Sequence, residues 1–234
     1  MSMNLEWLAE VPALVDWCVE IGRKILETFG GSKLEFYEER EAGVRDISKL
    51  YDLFRKEFKE EAPRREALVE WLQANPKHII VVTKVVERGL VTKKKIVGAY
   101  KVLRINRDAM ELLNQEHLSG TRFRDEHFVA PDEPPCAIYI GDVIGTGRIA
   151  RGHVMRFLVN SLQALRDAGV RFFYARPLSD EGLDWCQKYS FFPVNSMHHG
   201  EFNHIYRRDN STGSALLRKH ASIVGKRSRP RRRR

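Results

Sequence analysis

The stretch Gly141 to Gly169, GDVIGTGRIARGHVMRFLVNSLQALRDAG, passes from an apolar run through a glycine- and arginine-rich turn into a long amphipathic pattern. Such a junction could hold a phosphate, because the first amides of a helix point outward without intrahelical partners and sit at the positive end of the macrodipole. Arg148, Arg151 and Arg156 could add charge-assisted bonds to the same anion. Two nucleotide fingerprints fail on spacing. A dinucleotide-binding G-x-G-x-x-G meets Ala150 at its third glycine, and a phosphate loop meets His153 and Val154 where it needs a lysine and a hydroxyl.

A second cluster, HHGEFNH, holds His198, His199, Glu201 and His204. These straddle an expected hairpin turn, and neither an H-E-x-x-H nor a paired C-x-x-C accompanies them, so the expectation is surface histidines and no metal. Cys18, Cys136 and Cys186 are too few and too scattered for a disulfide framework or a zinc knuckle and read as free, buried thiols.

The elements that must position these residues follow from periodicity. KLEFYEERE reads as a strand, and VRDISKLYDLFRKEFKEE as a helix with Ile47, Leu50, Leu53, Phe54 and Phe58 on one face. A second helix starts at Pro63 and closes at Asn75-Pro76. HIIVVTKVV and IVGAYKVLRI are strands of an antiparallel hairpin, joined by the charged ERGLVTKKK. The polar segment from Asn106 to Pro135 reads as a surface excursion with one short helical pattern around Met110 to Leu118.

CAIYIGDVIG, HVMRFLVNSLQALRDAG and VRFFYARP then form strand, helix and strand, with the spacing of a parallel βαβ crossover. LSDEGLDWCQKYS is a short helix capped by Ser179 or Asp180, and FFPVNSM and EFNHIYRR are a closing hairpin. Trp7, Trp17 and Trp71 lie on helical stripes as core residues.

This order of elements resembles the GNAT superfamily of acyl-CoA-dependent N-acyltransferases, as a divergent member with a degenerate acyl-CoA motif. CAIYIGDVIG stands for the family's splayed strand, TGRIARGHVM for its pyrophosphate loop Q/R-x-x-G-x-G/A, VMRFLVNSLQALRDAG for the helix, and KKKIVGAYKVLRI for the strand that opens with V-G. The resemblance covers about Lys33 to Arg208. It implies an α/β (α+β) fold: a mixed, mostly antiparallel sheet flanked by helices, with a central βαβ unit.

The resemblance implies acetyl-CoA as co-substrate and direct transfer of an acetyl group to an amine. Setting Arg151 at the leading Gln/Arg puts Val154 and Arg156 at the two loop glycines. The cofactor-binding set becomes Val143, Ile144, Gly145, Arg148, Arg151, Gly152, His153, Val154, Arg156 and Ser179, the first three through backbone groups on the pantetheine arm. The family's N-x-x-A-x-x-F-Y-x-x-x-G-F maps onto SDEGLDWCQKYSF, so Cys186 takes the place of the tyrosine that protonates the leaving thiolate. Asp142 is a candidate base, with Tyr100 and Glu126 as others.

Bulk composition sets the remaining expectations. The 234 residues, 43% hydrophobic, can bury a core, and no run of eighteen apolar residues occurs. Early acidic residues Glu6, Glu10 and Asp16 are wrong for a secretory signal, which favours the cytoplasm. The net charge of +9 is local: residues 218–234 hold nine Lys/Arg and no acid, and the 31 basic residues that remain match 31 acidic ones. Three parts are expected: an N-terminal helical extension over 1–31, an acyltransferase domain over 32–209, and a disordered basic tail over 210–234. Arg227, Arg229, Arg231, Arg232, Arg233 and Arg234 would bind nucleic acid through phosphates, without sequence reading, or an acidic protein. The alternative to an enzyme is a non-catalytic GNAT-fold binding or structural protein, of a phage-encoded or virion-associated kind, that acts through this tail. The N-terminal helix could pack on the domain or form a homodimer.

Overall fold

The computed structural model describes residues 34–88, 91–118, 120, 122–201 and 203–212. The expected N-terminal helix with Trp7, Trp17 and Cys18, and the arginine tail, lie outside the described residues.

Seven strands form one sheet: β1 (Leu34–Glu41), β2 (Ile79–Arg88), β3 (Val91–Ile105), β4 (Ala137–Gly145), β5 (Phe172–Ala175), β6 (Phe192–Pro193) and β7 (Tyr206–Asp209), in the order β1-β2-β3-β4-β5-β7-β6. Among the described residues five α-helices accompany it: α1 (Ile47–Phe58), α2 (Arg65–Ala74), α3 (Arg107–Asn114), α4 (Arg148–Asp167) and α5 (Asp180–Lys188). The β4–β5 pair is parallel, because α4 carries the chain back between them; β3–β4, β5–β7 and β6–β7 are antiparallel. This is the mixed, mostly antiparallel sheet with a central βαβ unit that the resemblance implies.

The chain divides into two compact units. The described residues of 39–83 and 96–212 form the larger one, which holds the core. Its α1 buries Ile47, Leu50 and Phe54, the inward residues of its helical stripe, and α2 buries Leu68, Trp71 and Leu72. The smaller unit, over the described residues 34–38 and 84–95, carries ion pairs of Lys84 with Glu35 at 3.1 Å and of Lys94 with Glu38 at 2.8 Å.

Three sequence expectations are corrected. The charged ERGLVTKKK is mostly strand: β2 runs to Arg88 and β3 starts at Val91, because ladder bonds do not require apolar side chains. The segment from Asn106 to Pro135 is more than a surface excursion. Its helix α3 is capped by Asn106, whose side chain accepts the Ala109 N–H at 2.9 Å, and it sends Leu113, Leu118, Phe123 and Phe128 into the core. The Trp71 indole N–H donates to the Phe123 carbonyl at 3.1 Å and fixes the segment there. Finally, Cys186 is buried as expected, but Cys136 is exposed.

Candidate functional site

The site is built where β4 loses one neighbour. Over Ala137–Ile140 it pairs with Phe172–Ala175 of β5, and there β5 ends. β4 continues to Gly145, still paired with β3 through Val143, Ile144 and Gly145. A bulge marks the change: Val102 faces Ile140 and Tyr100 faces Val143, so Gly141 and Asp142 together stand opposite Lys101. The extra residue bends β4 as its β5 pairing stops.

The bulge is packed around one buried charge. Lys101 is 1% exposed, with its Nζ 4.2 Å from the Trp71 ring centroid and 2.5 Å from Asp142 Oδ2. A Cβ on Gly141 would lie 2.7 Å from Lys101 Cε and 2.9 Å from its Cβ, so glycine lets this side chain pass. Burial pushes the Lys101 pKa down, and the carboxylate of Asp142 opposes the shift.

Beyond the bulge, two glycines seat the head of α4. A Cβ on Gly145 would approach the Arg151 backbone nitrogen to 2.6 Å, and one on Gly98 would approach the Ile144 carbonyl oxygen to 2.5 Å. No side chain caps the helix: its N-cap is Gly147, at φ 84°, and its first turn holds no acid. Thr146, which could have capped it, spends its N–H and its hydroxyl on the Val97 carbonyl, at 2.7 and 3.0 Å. The first intrahelical bond runs from Arg151 N–H to the Gly147 carbonyl at 3.0 Å, so the amides of Arg148, Ile149 and Ala150 precede it. Arg148, Ile149, Arg151 and Gly152 are exposed, and a Cβ on Gly147 or Gly152 would meet nothing within 4 Å.

Arg151 lies over this end. Its Nε donates to the Gly145 carbonyl at 3.3 Å, and its guanidinium pairs with Glu57 at 3.3 Å. That pair is exposed on both sides, and such pairs contribute little, so an anion can draw the guanidinium away.

The remaining sequence candidates divide by position. α4 begins at Arg148, five residues before the expected helix, so most of the expected loop is helical. Val154 therefore sits in the second turn, 1% exposed, and would touch a Cβ on Gly98 at 2.4 Å; it packs on the sheet instead of lining a loop. Arg156 stacks over the Phe157 ring at 4.7 Å, and His153 is half-buried, its pKa lowered by burial and then by Arg156. Ser179 caps α5, its Oγ accepting the Gly182 N–H at 3.2 Å.

Cys186 is 1% exposed, and burial pushes its thiol up to about 12. A thiol so held keeps its proton, and Cys186 packs as a core residue of α5. The Tyr100 hydroxyl donates to Glu39 at 2.5 Å and lies 2.8 Å from Ser161 Oγ; burial first, then Glu39, raises its pKa. Glu126 is exposed in the connection after α3, where its carbonyl accepts from Asn106.

Sequence reasoning missed Lys101 and Glu57. The signal for Lys101 was present: Ala99, Lys101, Leu103 and Ile105 alternate onto one buried face of β3, where a lysine demands a partner. Glu57 gave none, being one acid among many on a solvated helix face. A cleft of about 610 Å³ also opens between the α1–α2 connection and residues 122–124. Glu60, Glu61, Glu70, Arg64, Arg122 and Arg124 line it.

No family model matches the sequence, and neither does any curated protein. Solved structures of similar fold include Ard1 from Thermoplasma volcanium, at 14% identity and TM-score 0.46, over 74% of this chain and 97% of that one. A GNAT-family acetyltransferase from Staphylococcus aureus Mu50 is similar at 10% identity and TM-score 0.45, over 74% and 99%. A GNAT-family acetyltransferase from Brucella melitensis in complex with acetyl-CoA is similar at 14% identity and TM-score 0.40, over 74% and 88%.

Proposed function

We propose that this chain is a divergent GNAT-superfamily N-acyltransferase that transfers an acetyl group from acetyl-CoA to an amine. The observation that carries the reading is the uncapped head of α4, seated by Gly98 and Gly145 on the end of a strand that has left its parallel neighbour. The pyrophosphate of coenzyme A would accept from the amides of Arg148, Ile149 and Ala150, with Arg148 and Arg151 adding charge. The backbone of Val143 to Gly145, which β5 does not reach, would hydrogen-bond the pantetheine arm along the gap.

Transfer would proceed by attack of the amine lone pair on the thioester carbonyl. The carbon–sulfur bond breaks, and the coenzyme A thiolate leaves into solvent. Asp142 is the carboxylate on β4 at the gap, and the proton released by the amine would pass to it; Lys101, paired with it, holds that carboxylate in place.

The test is release of free thiol from acetyl-CoA in the presence of a pool of primary amines. Wild-type protein should release thiol in an amine-dependent way, and Asp142→Asn should slow it on the order of 10²-fold or more, the scale of a lost general base. Thiol release that is independent of any amine, or equal in both proteins, contradicts the reading.

A further inference from the structure

Glu116, just past the end of α3, meets the loop between β6 and β7. Here the rings of His198 and His204 stack with centroids 3.5 Å apart and planes 6° from parallel. Two carboxylates flank the pair on opposite edges. Glu201 Oε2 lies 3.1 Å from His198 Nδ1 and 3.5 Å from His204 Nε2. Glu116 lies 3.9 Å from His198 Nε2 and 3.6 Å from His204 Nδ1.

These distances divide the labour. If Glu201 takes the N–H of each ring, both tautomers are fixed, and His198 Nε2 and His204 Nδ1 present lone pairs toward Glu116. A ligating histidine whose other nitrogen is held by a carboxylate is the ordinary support of a protein metal site. One donor atom each from Glu116, His198 and His204 lie within 4.8 Å of one another, on side chains that are neither buried nor fully exposed.

The frame that holds them is ordered by further hydrogen bonds. The Tyr206 hydroxyl lies 2.7 Å from the Glu201 carbonyl and 3.1 Å from that of His198. The Asn203 N–H donates to the Pro177 carbonyl at 2.6 Å, and the Ile205 N–H donates to Glu116 Oε1 at 3.3 Å. Glu116 is held at positive φ, 57°, which a residue of its type seldom adopts, and Asn203 lies at 75°, a region asparagine tolerates.

We infer that Glu116, His198 and His204 form a binding site for a zinc-class divalent cation, with Glu201 as the carboxylate that orients both rings. Two imidazoles and one carboxylate suit a borderline ion such as Zn²⁺ in preference to Ca²⁺ or Mg²⁺, which take all-oxygen shells. Donor distances of about 2.0–2.2 Å require the rings to turn out of their stack toward Glu116, and the fourth position is left to water. A bound ion would pin the segment after α3 to the β6–β7 loop.

The test is titration of the metal-free full-length chain with zinc chloride against a chromophoric chelator, with cobalt(II) chloride absorption reporting the coordination. We expect one ion per chain, a tetrahedral cobalt spectrum and a melting temperature that rises with zinc. His204→Ala and Glu116→Gln should each abolish the spectrum, Glu201→Gln should weaken zinc binding roughly 10- to 100-fold, and His199→Ala should change nothing. Glu116→Gln keeps the shape of the side chain, so its circular dichroism and melting curve separate lost binding from lost folding. Absence of saturable zinc binding by the wild type overturns the inference, as does binding that persists in both His204→Ala and Glu116→Gln.

Discussion

The N-termini of α4 and α5 are built in opposite ways. α5 begins with Ser179 as its N-cap and carries Asp180 and Glu181 in its first turn, so its amides and its dipole are satisfied by its own sequence. α4 begins with Gly147, which has no side chain to cap with, and its first turn carries arginine and no acid. Thr146 is turned onto β3, Gly145 brings the sheet against the helix backbone, and Gly98 leaves room for the Val154 side chain. One terminus is finished internally. The other is left open, and the proposed phosphate site rests on that missing cap as much as on the arginines beside it.

The contrast breaks most severely if the seat of α4 is removed. Gly145→Val places atoms against the backbone of Ala150 and Arg151, which cannot yield as a flexible side chain would, and should cost about 3 kcal/mol or prevent folding, read by denaturant melts.

Both termini depend on an intact domain, whose stability is pH-dependent. His78 is buried beside Phe128, with Nδ1 3.1 Å from the Trp71 carbonyl, and burial pushes its pKa down from 6.5 to about 4. The unfolded chain therefore binds a proton below pH 6.5 that the folded chain refuses. Stability is full above pH 6.5 and falls as pH drops toward 4, by roughly 3 kcal/mol over that window. Melts from pH 7.5 to 4 on wild type and His78→Gln should show the difference, the variant being less stable at neutral pH but flatter in acid.

Two milder changes sharpen the contrast. Ile149→Asp puts an acid into the first turn of α4 at a position 70% exposed, making that terminus resemble the other. It should leave the helix as stable or slightly more so, and weaken acetyl-CoA binding about tenfold by calorimetry, since the new carboxylate competes for the same positive end. Ser179→Ala removes the α5 cap and should cost about 1 kcal/mol of stability, read by denaturant melts.

The sequence carried α5 almost completely, because Ser-Asp-Glu before an apolar stripe is a local signal. It also carried the βαβ unit, whose strand, helix and strand differ in period. GRIARG looks like loop by composition, which sets the expected start of α4 five residues late; its backbone packs on the sheet where Gly145 has no side chain. The segment after β3 looked like surface because Leu113, Leu118, Phe123 and Phe128 are single anchors with no period. Lys101 and Asp142 are far apart in the chain, and only the bulge in β4 brings them together. Glu116 stands eighty-two positions before His198, and spacing within HHGEFNH could not supply it.

The most direct measurement is calorimetric titration of acetyl-CoA into the full-length chain at pH 7.5 and physiological salt, for wild type and Arg151→Glu, with melting curves for both. The account predicts saturable one-to-one binding by the wild type and its loss in a variant that melts as the wild type does. Binding of equal strength in both proteins, or none by a well-folded wild type, would contradict the claim that the head of α4 holds the cofactor's phosphates.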